Sequence, residues 1–82
     1  MDINHQYRLK AIKFAKDWQV DVSEHILDIM VSIMCTRDKV SYPGGSFVQA
    51  VVNNDLLGTI NRADDECYKH LKLLVACNTN CF

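Results

Sequence analysis

Apolar residues recur at steps of three and four along most of the chain, and that spacing predicts four helices. Over 2–18, Ile3, Tyr7, Ala11, Phe14, Ala15 and Trp18 share one face while Arg8, Lys10, Lys13 and Lys16 fall mainly elsewhere. This is an amphipathic helix with an aromatic turn on its partner face. The pattern breaks between Gln19 and Ser23. There Asp21-Val22-Ser23-Glu24 has the form of a capping box, with Asp21 as the cap and an acid three residues later. The second helix, 22–37, is apolar nearly all round (Ile26, Leu27, Ile29, Met30, Val31, Ile33, Met34, Cys35), which fits a central helix buried on more than one side. Its β-branched residues would suit a strand, but the helical length and the cap outweigh them. It stops in Arg37-Asp38-Lys39.

Pro43-Gly44-Gly45 is turn chemistry, because proline fixes one φ and the glycines open positive φ. Ser46 follows where an N-cap would stand. The third helix, 46–61, puts Phe47, Ala50, Val51, Asn54 and Leu57 on one face, so Asn54 is expected to point inward. In the fourth, 64–77, Ala63, Cys67, Leu71, Leu74 and Val75 keep the 3.6 period, Asp64 is the cap, and Asp65 and Glu66 suit the positive end of the dipole. Asn78 to Phe82 is left as a tail. The expected architecture is all-α: one domain, 1–82, of four helices packed as two helical hairpins.

At 82 residues the core is thin, so a homo-oligomer is expected, with Tyr7, Phe14 and Trp18 as its contact. The net charge of −1 argues against a strong nucleic-acid binder. Bases concentrate in residues 1–16 and acids in 17–36, a basic first helix beside an acidic second one. No apolar run approaches the roughly 20 residues that span a bilayer, and the N-terminus is polar, so the expected location is cytoplasmic. The four cysteines are then read as free thiols.

Candidate chemistry is sparse. Cys67, His70, Cys77 and Cys81 have ligand identities, but in a continuous helix Cys67 and Cys77 would lie ~15 Å apart, too far to share one tetrahedral ion; neither a metal nor a cofactor is expected. His5, His25 and His70 lie in no local pattern that pairs them with a thiol, so no catalytic group is assigned and the chain is read as non-enzymatic. Pro43-Gly44-Gly45-Ser46 resembles a small anion nest without the lysine of a phosphate loop. A recognition helix opening on Asp64, Asp65 and Glu66 would repel phosphate, which leaves Lys10, Lys13 and Lys16 as the one basis for a small nucleic-acid-binding regulator. What remains is Asn53, Asn54, Asp55, Arg62 and Asp64. These form either a polar brace, with Asp55 and Asn54 satisfying backbone N–H groups and Arg62 tied to the acids, or the lining of a cleft for a small polar ligand or a partner. Gly44, Gly45, Asn54, Asp55, Arg62 and Asp64 are the expected ligand- or partner-binding residues.

On Pro43-Gly44-Gly45-Ser46-Phe47, Asn54-Asp55-Leu56, Arg62-Ala63-Asp64 and the terminal Cys81-Phe82, the chain resembles a widespread group of small phage and prophage accessory proteins. These carry Pro-Gly-Gly/Ser-Phe, Asn-Asp-Leu, Arg-Ala-Asp and a closing Cys-Trp. The likeness covers the second half and extends loosely back through residues 21–34; Phe82 departs from the Trp of the pattern. The resemblance implies a phage origin, residence in the host cytoplasm, and inhibition or sequestration of a host component by binding, with antiphage defence as the expected target. In one version the partner is a host defence protein. In the alternative the protein is a sponge that holds a nucleotide signal in a pocket of an oligomer, lined by Arg62, Asn54 and the Gly44-Gly45 backbone.

Overall fold

Ile26, Met30, Ile33 and Met34 are completely buried along one helix, and the rest of the chain is wrapped on it. The computed structural model describes residues 3–40 and 44–80. Among them every regular element is helical: α1 (Ile3–Asp17), α2 (Glu24–Asp38), α3 (Ser46–Val52), α4 (Leu56–Arg62), α5 (Asp65–Lys69) and α6 (Leu71–Asn80). α2 packs against α1, α3 and α6, which is why its sequence is apolar on more than one side. None of the helices is long and apolar enough to cross a membrane.

The expected four helices become six segments because two of them are interrupted. In the third, Asn54 adopts the left-handed conformation (φ 59°). Its N–H bonds to the Val51 carbonyl at 3.2 Å, and the N–H of Asp55 bonds to that of Ala50 at 2.9 Å. That pair is a Schellman closure, and asparagine is the commonest substitute for glycine at its left-handed position. Asp55 then starts a new helix by accepting from the N–H of Gly58 at 3.0 Å. Gln19 and Lys39, also at positive φ, end α1 and α2 with the same two bonds, Gln19 to Lys16 with Val20 to Ala15, and Lys39 to Thr36 with Val40 to Cys35. The second interruption is at His70, which separates α5 from α6; its ring Nδ1 lies 3.1 Å from the Glu66 carbonyl. Beyond it α6 continues to Asn80, past the expected end at Cys77, and Asn78 is buried.

Three local expectations change. The cap of α2 is Ser23, whose Oγ accepts from the N–H of Ile26 at 3.3 Å, and not Asp21; Glu24 therefore sits inside the first turn. The cap of α3 is Gly45 rather than Ser46, and it has no side chain to cap with. Neither Gly44 nor Gly45 uses positive φ. Gly44 is required for closeness: its N–H reaches the Thr36 hydroxyl at 2.9 Å, and a Cβ would meet the Val48 side chain at 2.7–2.8 Å and the Ser32 hydroxyl. Residues 41–43, including Pro43, lie outside the described residues.

The charge asymmetry has a direct structural use. Arg8 on α1 pairs with Glu24 and, at 3.1 Å, with Asp28, both on α2, and Lys10 lies over the Tyr7 ring at 5.1 Å. Two of the bases that could have faced a polyanion are thus engaged within the fold. Beneath them Tyr7 is buried and donates its hydroxyl to Asp38 at 2.6 Å.

That bond predicts two arms of pH dependence. Hydrogen bonds from Arg37 and from Tyr7 pull the Asp38 carboxyl from 3.8 down to about 2, so its contribution is present above pH 3.8 and lost as pH falls toward 2. The bond to Asp38, followed by burial, pushes the Tyr7 phenol from 10.0 up to about 12, so its contribution is present below pH 10 and lost as pH rises toward 12. Tyr7→Phe should cost about 1–2 kcal/mol near neutrality, less than a fully buried charged bond because the carboxylate is partly solvated. Melting temperature against pH should lose its alkaline arm, while the acid arm shrinks but persists because Arg37 still holds Asp38; an unchanged profile would show that the bond does not persist in solution.

Candidate functional site

The interruption at Asn53-Asn54-Asp55 redirects the chain, and α4 leaves the stripe that the third helix was expected to continue. Phe47, Ala50 and Val51 are buried, whereas Leu57 is 71 % exposed, Leu56 70 % and Ile60 41 %. The inner side of α4, against α3, is made by Gly58 and Thr59. Such an apolar strip on an exposed helix, rimmed by polar groups, marks an interaction surface more often than a stray hydrophobe.

Beside the strip lies a shallow polar notch of about 230 Å³, lined by Ser46, Gln49, Ala50, Asn53, Asp55 and Arg62. Gly58 makes it possible. A Cβ there would lie 2.5 Å from Arg62 Nη1 and 2.8 Å from Asp55 Cγ, so the guanidinium and the carboxylate converge over a position that has no side chain. Gln49 donates to the Gly44 carbonyl at 2.7 Å and ties the notch to the glycine turn. The volume falls below the roughly 300 Å³ at which small-molecule pockets begin. The notch by itself therefore does not enclose a nucleotide-sized ligand.

The expected site residues separate into four places. Asp55 and Arg62 meet in the notch. Asn54 is not inward-facing but exposed in the turn, because the left-handed closure carries it off the buried stripe. Gly44 and Gly45 precede α3, and Gly44 reaches the notch through Gln49. Asp64 belongs elsewhere: it caps α5 by accepting from the N–H of Cys67 at 2.7 Å and faces α2. Gln49 was missed by sequence reasoning, as an ordinary polar residue in a helix with no signal to single it out.

Of the aromatic residues expected to join two copies, Tyr7 is buried against Asp38. Phe14 and Trp18 remain together with ring centroids 5.7 Å apart. Trp18 opens onto a second, broad apolar depression shared with Tyr68, Leu71 and Val75.

The structure also brings together residues that are distant in sequence. His25 Nε2 lies 3.1 Å from Asp64 Oδ2, and one ligand atom each from His25, Asp64 and Cys67 lie within 4.8 Å of one another. The Asp64 carboxyl is held below its ordinary range by the Cys67 backbone N–H, the Cys67 thiol and His25. Burial and the neighbouring Asp64 push the Cys67 thiol up to about 12. A buried thiol held protonated in this way is a poor nucleophile, so the trio does not form an activated cysteine. Cys35 and Cys77 are likewise buried as thiols; Cys81 lies outside the described residues.

Comparison of the chain with protein-family models, curated proteins and solved structures finds no match.

Proposed function

We propose that this chain is a non-enzymatic phage accessory protein that captures a host defence protein and blocks it by occupancy, through the outer face of α4. The observation that carries this reading is the exposed Leu56, Leu57 and Ile60 strip with Arg62 and Asp55 at its edge. Interfaces bury an apolar core inside a polar rim, with arginine prominent among the residues that carry their energy, and no core role accounts for three large apolar residues left in water on one short helix. The chemistry suits a partner with an apolar groove for the strip and a carboxylate for Arg62.

A second reading draws on the notch. Its donors are the Arg62 guanidinium, the Gln49 and Asn53 amides and the Ser46 hydroxyl, with Asp55 as its one acid, a set that suits an anionic ligand such as a nucleotide phosphate. Because the notch is shallow, that version needs a second copy of the chain to cover it, and the α4 strip would be buried in the homo-oligomer.

Thermal melting with a panel of cyclic and ADP-ribose-type nucleotides separates the two. A rise of several degrees, abolished by Arg62→Ala, is the expected result of the sponge version. No shift, together with retention of a host protein from infected cytoplasm that Arg62→Ala and Leu57→Asp both lose, is the expected result of the first reading. If neither nucleotides nor a host protein is retained in an Arg62-dependent way, both readings fall.

A further inference from the structure

We propose that His25, Asp64 and Cys67 form a binding site for one zinc ion, which clips the start of α2 to the start of α5. The proposal is independent of the α4 surface and uses none of its residues. Tetrahedral zinc takes thiolate, imidazole and carboxylate ligands at about 2.0–2.3 Å, which places ligand atoms about 3.3–3.8 Å from one another. Here one nitrogen, one oxygen and one sulfur already lie within 4.8 Å of one another, and the nitrogen–oxygen edge, at 3.1 Å, is close to its final length. Closing the set needs movements of about an ångström at the remaining edges.

The donor types choose the metal. A soft thiolate and an imidazole beside a single carboxylate fit Zn²⁺; calcium and magnesium would require oxygen ligands throughout. The arrangement also resembles a built site more than a chance cluster. Cys67 is 3 % exposed and forms the floor, while His25 and Asp64 are exposed and form the mouth, so the ion would enter from solvent and its fourth position would hold water. One Asp64 oxygen is fixed by the Cys67 backbone N–H at 2.7 Å, the kind of orienting contact that accompanies metal-binding carboxylates. A helix cap needs Asp64 alone, and neither the buried thiol nor the imidazole contributes to capping.

Binding is balanced by one proton. Zn²⁺ replaces the hydrogen on Cys67 Sγ, which passes to solvent. His25 binds through Nε2 as the tautomer that carries its hydrogen on Nδ1, so the hydrogen now shared between Nε2 and Asp64 Oδ2 passes through solvent to Nδ1 with no net release, and Asp64 Oδ2 exchanges its contact with His25 for one with the ion. The ligands from α2 and α5 are 39 residues apart in sequence, so the ion would close a long loop.

The test uses the full, metal-stripped chain under reducing conditions. Co²⁺ should bind at one per chain with a thiolate-to-cobalt charge-transfer band and intense visible bands of tetrahedral coordination, and Zn²⁺ should displace it with release of a proton. Zn²⁺ affinity should be tighter than about 10 µM, and melting temperature should rise by on the order of 10 °C at a hundredfold excess over the dissociation constant. Cys67→Ser should abolish the charge-transfer band. His25→Ala, at an exposed position where folding is not at stake, should weaken Zn²⁺ at least tenfold. Affinity weaker than 10 µM, or a loss of less than tenfold in His25→Ala, would overturn the proposal, since the metal would then be held adventitiously or by other cysteines.

Discussion

Replacing Leu74 by alanine should lower the melting temperature by on the order of 10–20 °C. Leu74 is fully buried on α6, in the same cluster as Ile26, Met30, Ile33, Met34 and Cys77. It lies on α6, which packs on α2, the helix that also packs against α1 and α3. Truncating a leucine in such a place removes its transfer energy and leaves a cavity that rigid helices cannot collapse, which costs about 2–5 kcal/mol. A chain of 82 residues has roughly 4–12 kcal/mol of stability in all, so this one change removes a large part of it. Each kilocalorie shifts the midpoint of a domain this size by about 4–8 °C. Leu74→Met keeps the volume and should cost under about 1.5 kcal/mol. Urea melts of the two variants at two protein concentrations would separate the core effect from any contribution of self-association. A Leu74→Ala cost below about 1 kcal/mol would mean that α6 is not held on α2 as described.

Much of this core is legible in the sequence, and what is not legible has specific causes. The apolar circumference of α2 and the Tyr7, Ala11 and Ala15 stripe of α1 are periodic signals, and burial follows them. Asp64 announces a helix start because a short acid before two further acids is good N-cap chemistry, and it does accept from Cys67 N–H. Asp21 and Ser23 are equally good caps on paper. Which one is used depends on where Ile26 and Leu27 must meet the core, a tertiary fact. The break at Asn53-Asn54-Asp55 is harder still: Phe47, Ala50, Val51 and Leu57 keep helical register across it, so the apolar period conceals the turn. The available signal was local, three consecutive weak helix formers ending in a cap residue. The His25, Asp64 and Cys67 cluster had no one-dimensional signal at all, because two helix starts far apart in sequence have to be folded side by side to make it.

The misread break is also what makes the second large effect testable, the loss of binding in Arg62→Ala with the fold intact. Had the third helix continued to residue 61, Leu57 would be buried and Arg62 would serve as a brace for the acids that follow it. Instead Asp64 turns toward His25 and Cys67, and Arg62 is left exposed over Gly58 beside Asp55. An exposed side chain in that setting contributes little to folding, so Arg62→Ala should change stability by less than about 0.5 kcal/mol. At an interface the same guanidinium would be desolvated against an anionic group of the partner, where truncation costs about 2–5 kcal/mol, a weakening of roughly 30-fold to several thousandfold. The comparison requires the melting curve and the binding isotherm of the same preparation. An unfolded or strongly destabilised variant would assign Arg62 to the brace, and a folded variant with undiminished binding would remove it from the interface. Lysine at this position keeps the charge but not the planar fork. An Arg62→Lys variant that binds nearly as well as the wild type would therefore mean that the partner reads charge alone, whereas a loss close to that of alanine would mean a two-pronged contact with a carboxylate or phosphate.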